Sequence, residues 1–207
     1  MSKRCVILSA GDFCPSDYQY DENDYIIAAD GGYAYLKEIG LTPDLCIGDF
    51  DSLGFVPNDC PVSALPVKKD CTDTDAAIRM GLAEGCDCFL LLGMLGGKRL
   101  SHTVANLQTL SILAERHLPH SLVGGGVTAR ALAQGDTVHF TEKDNCHVSV
   151  LAITDAAAVS LSGLQYNGNN LPLTNRFPLG VSNETTGQNA AVTCHEGLVL
   201  VVCEEKD

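Results

Sequence analysis

The sequence predicts a mixed α/β protein in two parts: an N-terminal, mostly parallel sheet with helices on both faces, followed by a small all-β sandwich or barrel. Two observations predict this. Up to residues 131–136, continuous apolar runs alternate with helix-like segments, as expected of strands covered on both faces by crossover helices. Beyond Asp136 the apolar runs are short and are punctuated by turn residues, including NGNN at 167–170 and HEG at 195–197, with no helical period between them. The first part is expected to be Rossmann-like over residues 1–132, and the second to span 133–207.

In chain order, the apolar runs at 5–10, 25–29, 45–48, 62–67, 89–92 and 121–123 read as strands. Between them, 32–39, 73–84 and 101–117 read as helices; Gly40 and Gly85 stand where the first two should stop, and Pro119 follows the third. In the second part, 146–154, 157–161, 190–194 and 198–202 read as strands. Internal repeats and low-complexity linkers are absent from the sequence, so the two parts are expected to pack closely.

At 207 residues the chain is long enough for a substantial core, and 45% apolar residues with mixed charge mark it as globular. A formal net charge of −13 argues against a nucleic-acid or anionic-membrane surface, both of which need a basic stripe. It remains compatible with a nucleotide substrate whose phosphates are offset by metal ions. Apolar stretches fall short of the length that spans a bilayer. The first residues, MSKRCVILSA, run from two basic residues into a strand and read as mature, cytoplasmic protein instead of a signal peptide. Ten cysteines are present, several of them (Cys5, Cys46, Cys88, Cys203) inside apolar runs, and most are expected to be reduced core thiols. With no CxxC in the chain, a structural zinc site is not expected.

The most informative stretch is GDFDS at 48–52. Asp49 and Asp51 are two apart on an extended segment at the exit of a buried strand, so they point the same way. That suits Mg²⁺ held by a few carboxylates with phosphate oxygens completing the shell; a hydrated Asp-rich turn is the plainer reading. Ligands of open α/β sheets bind beyond the carboxyl ends of the strands. Asp30, followed by Gly31 and Gly32, ends the strand YIIAA, and Asp70 and Asp73 follow the next strand after GDFDS. Three successive strand ends thus direct carboxylates at one crevice. Asp30 and Asp73 can also be read as helix caps, Asp75 as completing a capping box with Thr72, and Asp44 as a turn former or an outer support to the site.

The segment LLLGMLGGKRLSHTVANL, starting at Leu90, is a strand, a glycine turn, two cations (Lys98 and Arg99) and a helix start. Free N–H groups at such a helix start favour phosphate, and Arg99 adds a planar fork. It is not a P-loop: the first glycine of that motif would fall on Leu92, and Arg99 stands in place of its Ser or Thr. His102 is read as a polar group at the helix start, with a place beside the phosphates open to it.

Taken together, ADGG at 29–32, Pro43-Asp44, GDFDS, KDCTDTD at 69–75, GGKRLSHTVAN at 96–106 and SNE at 182–184 resemble, in order and over nearly the whole chain, the thiamine pyrophosphokinase family. The resemblance implies an α/β catalytic domain for ATP and Mg²⁺, a β domain for thiamine and dimerisation, and a homodimer with its active sites at the subunit interface. It implies Mg²⁺ near Asp30, Asp49, Asp51 and Asp73. Cofactor and substrate contacts fall on Asp30, Gly31, Lys69, Gly96, Gly97, Arg99, His102 and Asn106 for the nucleotide, and on Ser182 and Asn183 for thiamine. The thiamine hydroxyl would attack the β-phosphorus of ATP and expel AMP, with Asp49, Asp51, Asp70 and Asp73 as the catalytic carboxylates and Asp70 or Asp73 placed to accept the proton. Two positions depart from the family pattern. Ser101 stands where the family usually has Asp, and Thr185 and Thr186 stand where an aromatic would cover a thiamine ring, leaving Tyr166 or Phe177 as substitutes in a chain without Trp. Alternative readings are a pyrophosphokinase for a pterin alcohol, a phosphatase that forms phosphoaspartate at Asp49, and a non-catalytic Mg-nucleotide-binding module.

Overall fold

The structure, a computed structural model, describes residues 2–51, 53–66 and 70–206. It divides into two compact units, Met1–Thr109 with Pro119–Gly125, and Leu110–Leu118 with Gly126–Asp207.

The first unit contains β1 (Arg4–Leu8), β2 (Tyr25–Ala29), α1 (Gly32–Glu38), β3 (Leu45–Gly48), β4 (Val62–Ala64), α2 (Asp73–Ala83), β5 (Cys88–Leu92), α3 (Leu100–Thr109) and β6 (His120–Gly124). Its six strands are all parallel, in the order β4-β3-β2-β1-β5-β6. β1, with Cys5, Val6, Ile7 and Leu8 fully buried, lies between β2 and β5, which explains why its sequence is continuously apolar instead of alternating. On one side of the sheet Val6, Leu8, Ile26, Ala28 and Cys46 pack with Tyr33, Leu36 and Phe50 in a single core cluster.

The helix ends follow from local chemistry. Both α1 and α2 finish in Schellman turns, in which Gly40 N–H bonds Lys37 O and Leu41 N–H bonds Leu36 O in one, and Gly85 N–H bonds Leu82 O and Cys86 N–H bonds Gly81 O in the other. At the start of α2 the Thr72 hydroxyl accepts the Asp75 N–H at 3.1 Å. Asp75 itself then bonds Arg79 Nε at 2.9 Å, one helical turn on. The buried face of α2, Thr74, Ala77, Ile78 and Gly81, has the spacing of a helix laid on a sheet.

The expected helix over 101–117 is two helices, α3 and α4 (Ser111–Ala114). Thr109 lies at the break, and its hydroxyl bonds Ala105 O at 2.8 Å, competing with the backbone ladder where the helix stops. The strand expected over 5–10 ends at Leu8, because Ser9 and Gly11 turn their N–H groups to Leu92 O and Gly93 O. The strand expected over 62–67 ends at Ala64, and its last residue lies outside the described residues.

The second unit contains α4, β7 (Val127–Leu132), β8 (Thr137–Phe140), β9 (Cys146–Ala152), β10 (Ala157–Ser162), β11 (Gly168–Leu173), β12 (Asn183–Glu184), β13 (Ala190–Glu196) and β14 (Val199–Glu205). Two antiparallel sets, β12-β9-β14-β7 and β11-β10-β13-β8, contribute inward residues to one core. Val148, Val150, Val199 and Val201 from the first meet Val138, Val159, Leu161 and Val192 from the second, which is a sandwich and not a barrel.

Cys203, expected as a reduced thiol, is joined to Cys146 by a disulfide between β9 and β14. The other cysteines are free; Cys5 and Cys46 are buried as expected, Cys88 is half-buried, and Cys86 and Cys194 are buried as well. Among the described residues no helix is long and apolar enough to cross a membrane.

Candidate active site

In the parallel sheet the chain moves outward from β1 through β2 and β3 to β4, then returns to the other side of β1 at β5. The strand order therefore reverses between β1 and β5, the kind of place where ligands of open α/β sheets bind beyond the carboxyl ends of the strands. Of the sequence-predicted carboxylates, Asp30 follows β2, Asp49 follows β3 and Asp73 opens α2, where it is hydrogen bonded to Asp30.

Asp30 follows β2 and adopts φ 46°, a left-handed conformation unusual for a residue with a side chain. Its N–H bonds Ile47 O at 2.9 Å, pinning it to the end of β3. Gly48, the last residue of β3 at φ 148°, makes this possible: a Cβ there would lie 1.9 Å from Asp30 Oδ1. Phe50, between Asp49 and Asp51, is also left-handed at φ 60°. Conformations of this kind cost on the order of 1–3 kcal/mol each and persist where the surrounding structure enforces them, which happens most often at functional sites.

The carboxylates respond to one another. Burial pushes the Asp30 carboxyl up to about 6, reinforced by the charge of Asp73 and a hydrogen bond with it, and then by the charge of Asp49. Asp30 Oδ1 is buried with no hydrogen-bond partner among the described residues. The segment 49–51 is not extended as expected: Phe50 is left-handed and Asp49 Oδ1 accepts the Asp51 N–H at 3.1 Å, so it is the Asp-rich turn of the plainer reading, with Asp51 exposed. Asp73 is the first residue of α2, so the free N–H groups of that helix start lie beside it. Asp70 is exposed just before α2, and Lys69 lies outside the described residues.

Among the described residues no three His, Cys, Asp or Glu side chains form a ready cage for a metal ion. The arrangement nevertheless fits Mg²⁺, which binds through one or two carboxylates and completes its shell with water and substrate phosphate. An orphaned, buried carboxylate oxygen flanked by two further carboxylates is a site that lacks positive charge.

On the other side of β1 lies the turn after β5. The loop after β1 zips onto it: Gly11 N–H bonds Gly93 O at 2.6 Å and Asp12 N–H bonds Leu95 O at 2.9 Å. Gly96, at φ 66°, lies so close to Asp12 that a Cβ would come within 1.9 Å of Asp12 Oδ2. Gly96, Gly97, Lys98 and Arg99 are exposed, and His102 is exposed in the first turn of α3. Thr103 Oγ1 ties that turn to Gly96 O at 3.2 Å. Asn106 is different: it is buried, and its amide bonds Thr74 and Met94 O, both at 2.9 Å.

Two residues that the sequence reading passed over belong to this neighbourhood. Asp12 ends the loop after the central strand, where the strand-end rule that selected Asp30 and Asp49 applies equally. Thr74 stands between Asp73 and Asp75, and only its burial against α3 distinguishes it. Asp44, by contrast, accepts the Ile26 N–H at 2.8 Å and so braces β2.

Ser182 and Asn183 belong to the second unit. Ser182 has φ 59°, and its N–H bonds Ser149 Oγ at 3.2 Å. Asn183 is buried, its Oδ1 accepting the N–H groups of Tyr166 and Glu184 and its Nδ2 donating to Tyr166 O at 2.7 Å. It thereby presents Tyr166, which is exposed, as are Phe177, Leu179 and Val181. A cavity of about 250 Å³ lies beside these, lined by Val150, Leu173, Arg176, Phe177, Leu179 and Gly180.

Carboxylates at the ends of parallel strands and at a helix start, with a glycine turn and cations after a neighbouring strand of the same sheet, fit the phosphoryl-transfer class of α/β enzyme. The comparisons narrow the class. Residues 17–121 match the family described as thiamin pyrophosphokinase, catalytic domain, and residues 136–199 match thiamin pyrophosphokinase, vitamin B1 binding domain. The chain belongs to the thiamin pyrophosphokinase family and is an enzyme of that kind, a thiamine diphosphokinase. It is 24% identical over 189 residues to thiamine pyrophosphokinase of Bacillus subtilis, covering 88% of each chain. The crystal structure of the Bacillus subtilis enzyme superposes with a TM-score of 0.83 at 21% identity over 100% of both chains. That of thiamin pyrophosphokinase from Geobacillus thermodenitrificans superposes with a TM-score of 0.82 at 26% identity, covering 99% of this chain and 98% of that one.

Proposed function

We propose that this thiamine pyrophosphokinase binds Mg·ATP in the carboxylate crevice of its first, Rossmann-like unit and transfers the pyrophosphoryl group whole to the thiamine hydroxyl. The observation that carries the assignment is the buried, unpartnered Oδ1 of Asp30 beside Asp73 and Asp49. Asp30, Asp49, Asp51 and Asp73 would hold Mg²⁺, which when bound supplies charge compensation for the polyphosphate.

The chain's own residues do the rest. Gly31 leaves room for the nucleotide at the end of β2. Gly96 and Gly97, with the N–H groups at the start of α3, bind phosphate oxygens; Lys69, Arg99 and His102 balance charge on the transferred group and the departing AMP. The attacking hydroxyl must be held in line with the β-phosphorus, and its proton passes to Asp70 or Asp73 as the bond to AMP breaks. Such a transfer depends on positioning and electrostatics more than on covalent help from the protein. Asp49 and Asp51 fix the acidic wall against which the phosphates are oriented.

Thiamine recognition falls to the C-terminal part, taken as residues 133–207, with 1–132 as the catalytic part. Ser182 and Asn183 shape the segment that offers Tyr166, and Tyr166 or Phe177 supplies the aromatic surface that Thr185 and Thr186 do not. The exposed side chains of Tyr166, Phe177, Leu179 and Val181 support a homodimer whose active sites lie at the subunit interface. A cytoplasmic setting, with MgATP abundant, fits this chemistry; neither nucleic acid nor a membrane is a partner of so acidic a chain.

The test is incubation of the protein with Mg²⁺, ATP and thiamine, with nucleotides and thiamine species separated by chromatography. AMP and thiamine diphosphate are expected in equal amounts, and both should vanish when the divalent cation is chelated. ADP or free phosphate in place of AMP would reject the reading.

A further inference from the structure

The two walls of the crevice are carried by different elements, the acidic one by α2 and the strand ends before it, the cationic one by the turn between β5 and α3. One buried side chain ties them together. Thr74, 4% exposed, donates from Oγ1 to Asn106 Oδ1, and Asn106, 9% exposed, donates from Nδ2 to the main-chain oxygen of Met94. Thr74 is the residue after Asp73 in the first turn of α2. Met94 opens the glycine turn, and Asn106 lies on the helix whose start carries His102. The amide thus bridges three segments, using one donor and one acceptor that are both shielded from water.

We infer that Thr74 and Asn106 are a positioning pair, which sets the separation between Asp73 and the glycine turn and so fixes the polyphosphate for attack. In this assignment Asn106 works through its two partners and does not touch the nucleotide. The inference rests on the proposed reading of Asp73 and the glycine turn as the two walls of the phosphate site.

Two physical points support it. A buried side-chain amide bonded at both ends has one orientation, because turning it over would set its oxygen against the Met94 carbonyl oxygen, two acceptors facing each other with no proton between them, and leave both unpaired. The chemistry also requires such a brace. Misplacing reacting groups by about 1 Å costs about 100-fold in rate, and outer supports of a metal site are worth about 10- to 100-fold in affinity or activity.

The experiment compares Thr74→Val, Thr74→Ser, Asn106→Ala, the double variant of Thr74→Val with Asn106→Ala, and Thr109→Val with the unaltered protein. Turnover per folded molecule, KM for MgATP and melting temperature are measured for each. Thr109→Val is the control, since it removes a hydroxyl bond on the same helix that bridges nothing to the crevice. We expect Thr74→Val and Asn106→Ala each to lower kcat about 10- to 100-fold in molecules that remain folded, and the double variant to fall no further than the worse single. Thr74→Ser should restore most of kcat, and Thr109→Val should shift the melting temperature with kcat unchanged. Unchanged kcat in Thr74→Val, or a loss in Thr109→Val equal to that in Thr74→Val, would overturn the inference. Should Asn106→Ala not fold, Thr74→Val and Thr74→Ser decide it alone, since valine has the shape of threonine. Failure of the unaltered protein to form thiamine diphosphate would instead reject the proposed reading on which the inference stands.

Discussion

Asp30 keeps a carboxyl oxygen buried and unpartnered in a left-handed backbone conformation, an arrangement without stability of its own. It exists because Gly48 makes room for it and because Ile47 O holds its N–H. Gly48→Ala should therefore destabilise the protein by about 1–3 kcal/mol and weaken activity, read from urea unfolding and the thiamine diphosphate assay. An unchanged midpoint would mean that the Asp30 carboxyl is not lodged against Gly48. At this scale the sequence was informative about place for Asp30 and Asp49, which follow β2 and β3 as the apolar runs indicate, and less so for Asp73, which opens α2 instead of closing a strand. The burial of Asn106 between Thr74 and Met94 O was not legible, since nothing in a linear motif distinguishes an amide facing a phosphate from one buried between two loops.

At the scale of elements, helix boundaries were legible where one or two neighbouring residues decide them. Thr72 and Gly85 fix the two ends of α2 by bonds within the helix and its flanks. Thr72→Ala should cost about 1 kcal/mol in thermal or urea unfolding. The break between α3 and α4 was hidden because a single hydroxyl bond from Thr109 marks it within an unbroken helical pattern. α1 is tied to the loop before β4 through Asp59, whose carboxyl is held below its usual range first by the Lys37 ammonium and then by the Tyr33 hydroxyl. A depressed folded-state carboxyl contributes stability at pH above the unfolded value of about 4 and loses it as pH falls through the folded one. The stability gap between the unaltered protein and Asp59→Ala should thus be full at neutral pH and close as the solution is acidified below that range; a gap independent of pH would show that the ion pair contributes nothing. The disulfide is the clearest case of what sequence withholds, because Cys146 and Cys203 are 57 residues apart and meet only through the pairing of β9 with β14.

For the whole molecule, the parallel-then-antiparallel organisation was legible from the length and alternation of apolar runs, and the sandwich was distinguished from a barrel only by the shared core of the two antiparallel sheets. The family was legible because its motifs recur in order along the chain, and the matched catalytic and vitamin B1-binding domains bear that out. Dimerisation is a prediction at this scale: sedimentation should give twice the mass of the 21.9 kDa chain, and a monomer would remove the interface from the proposed site. Pyrophosphoryl transfer is proposed to depend first on the acidic wall. Its most direct test is the turnover of Asp51→Asn and Asp73→Asn, each checked for native circular dichroism. A loss of at least two orders of magnitude in both, with the fold retained, is the predicted result; near-normal turnover in both would contradict the assignment of this crevice as the seat of pyrophosphoryl transfer.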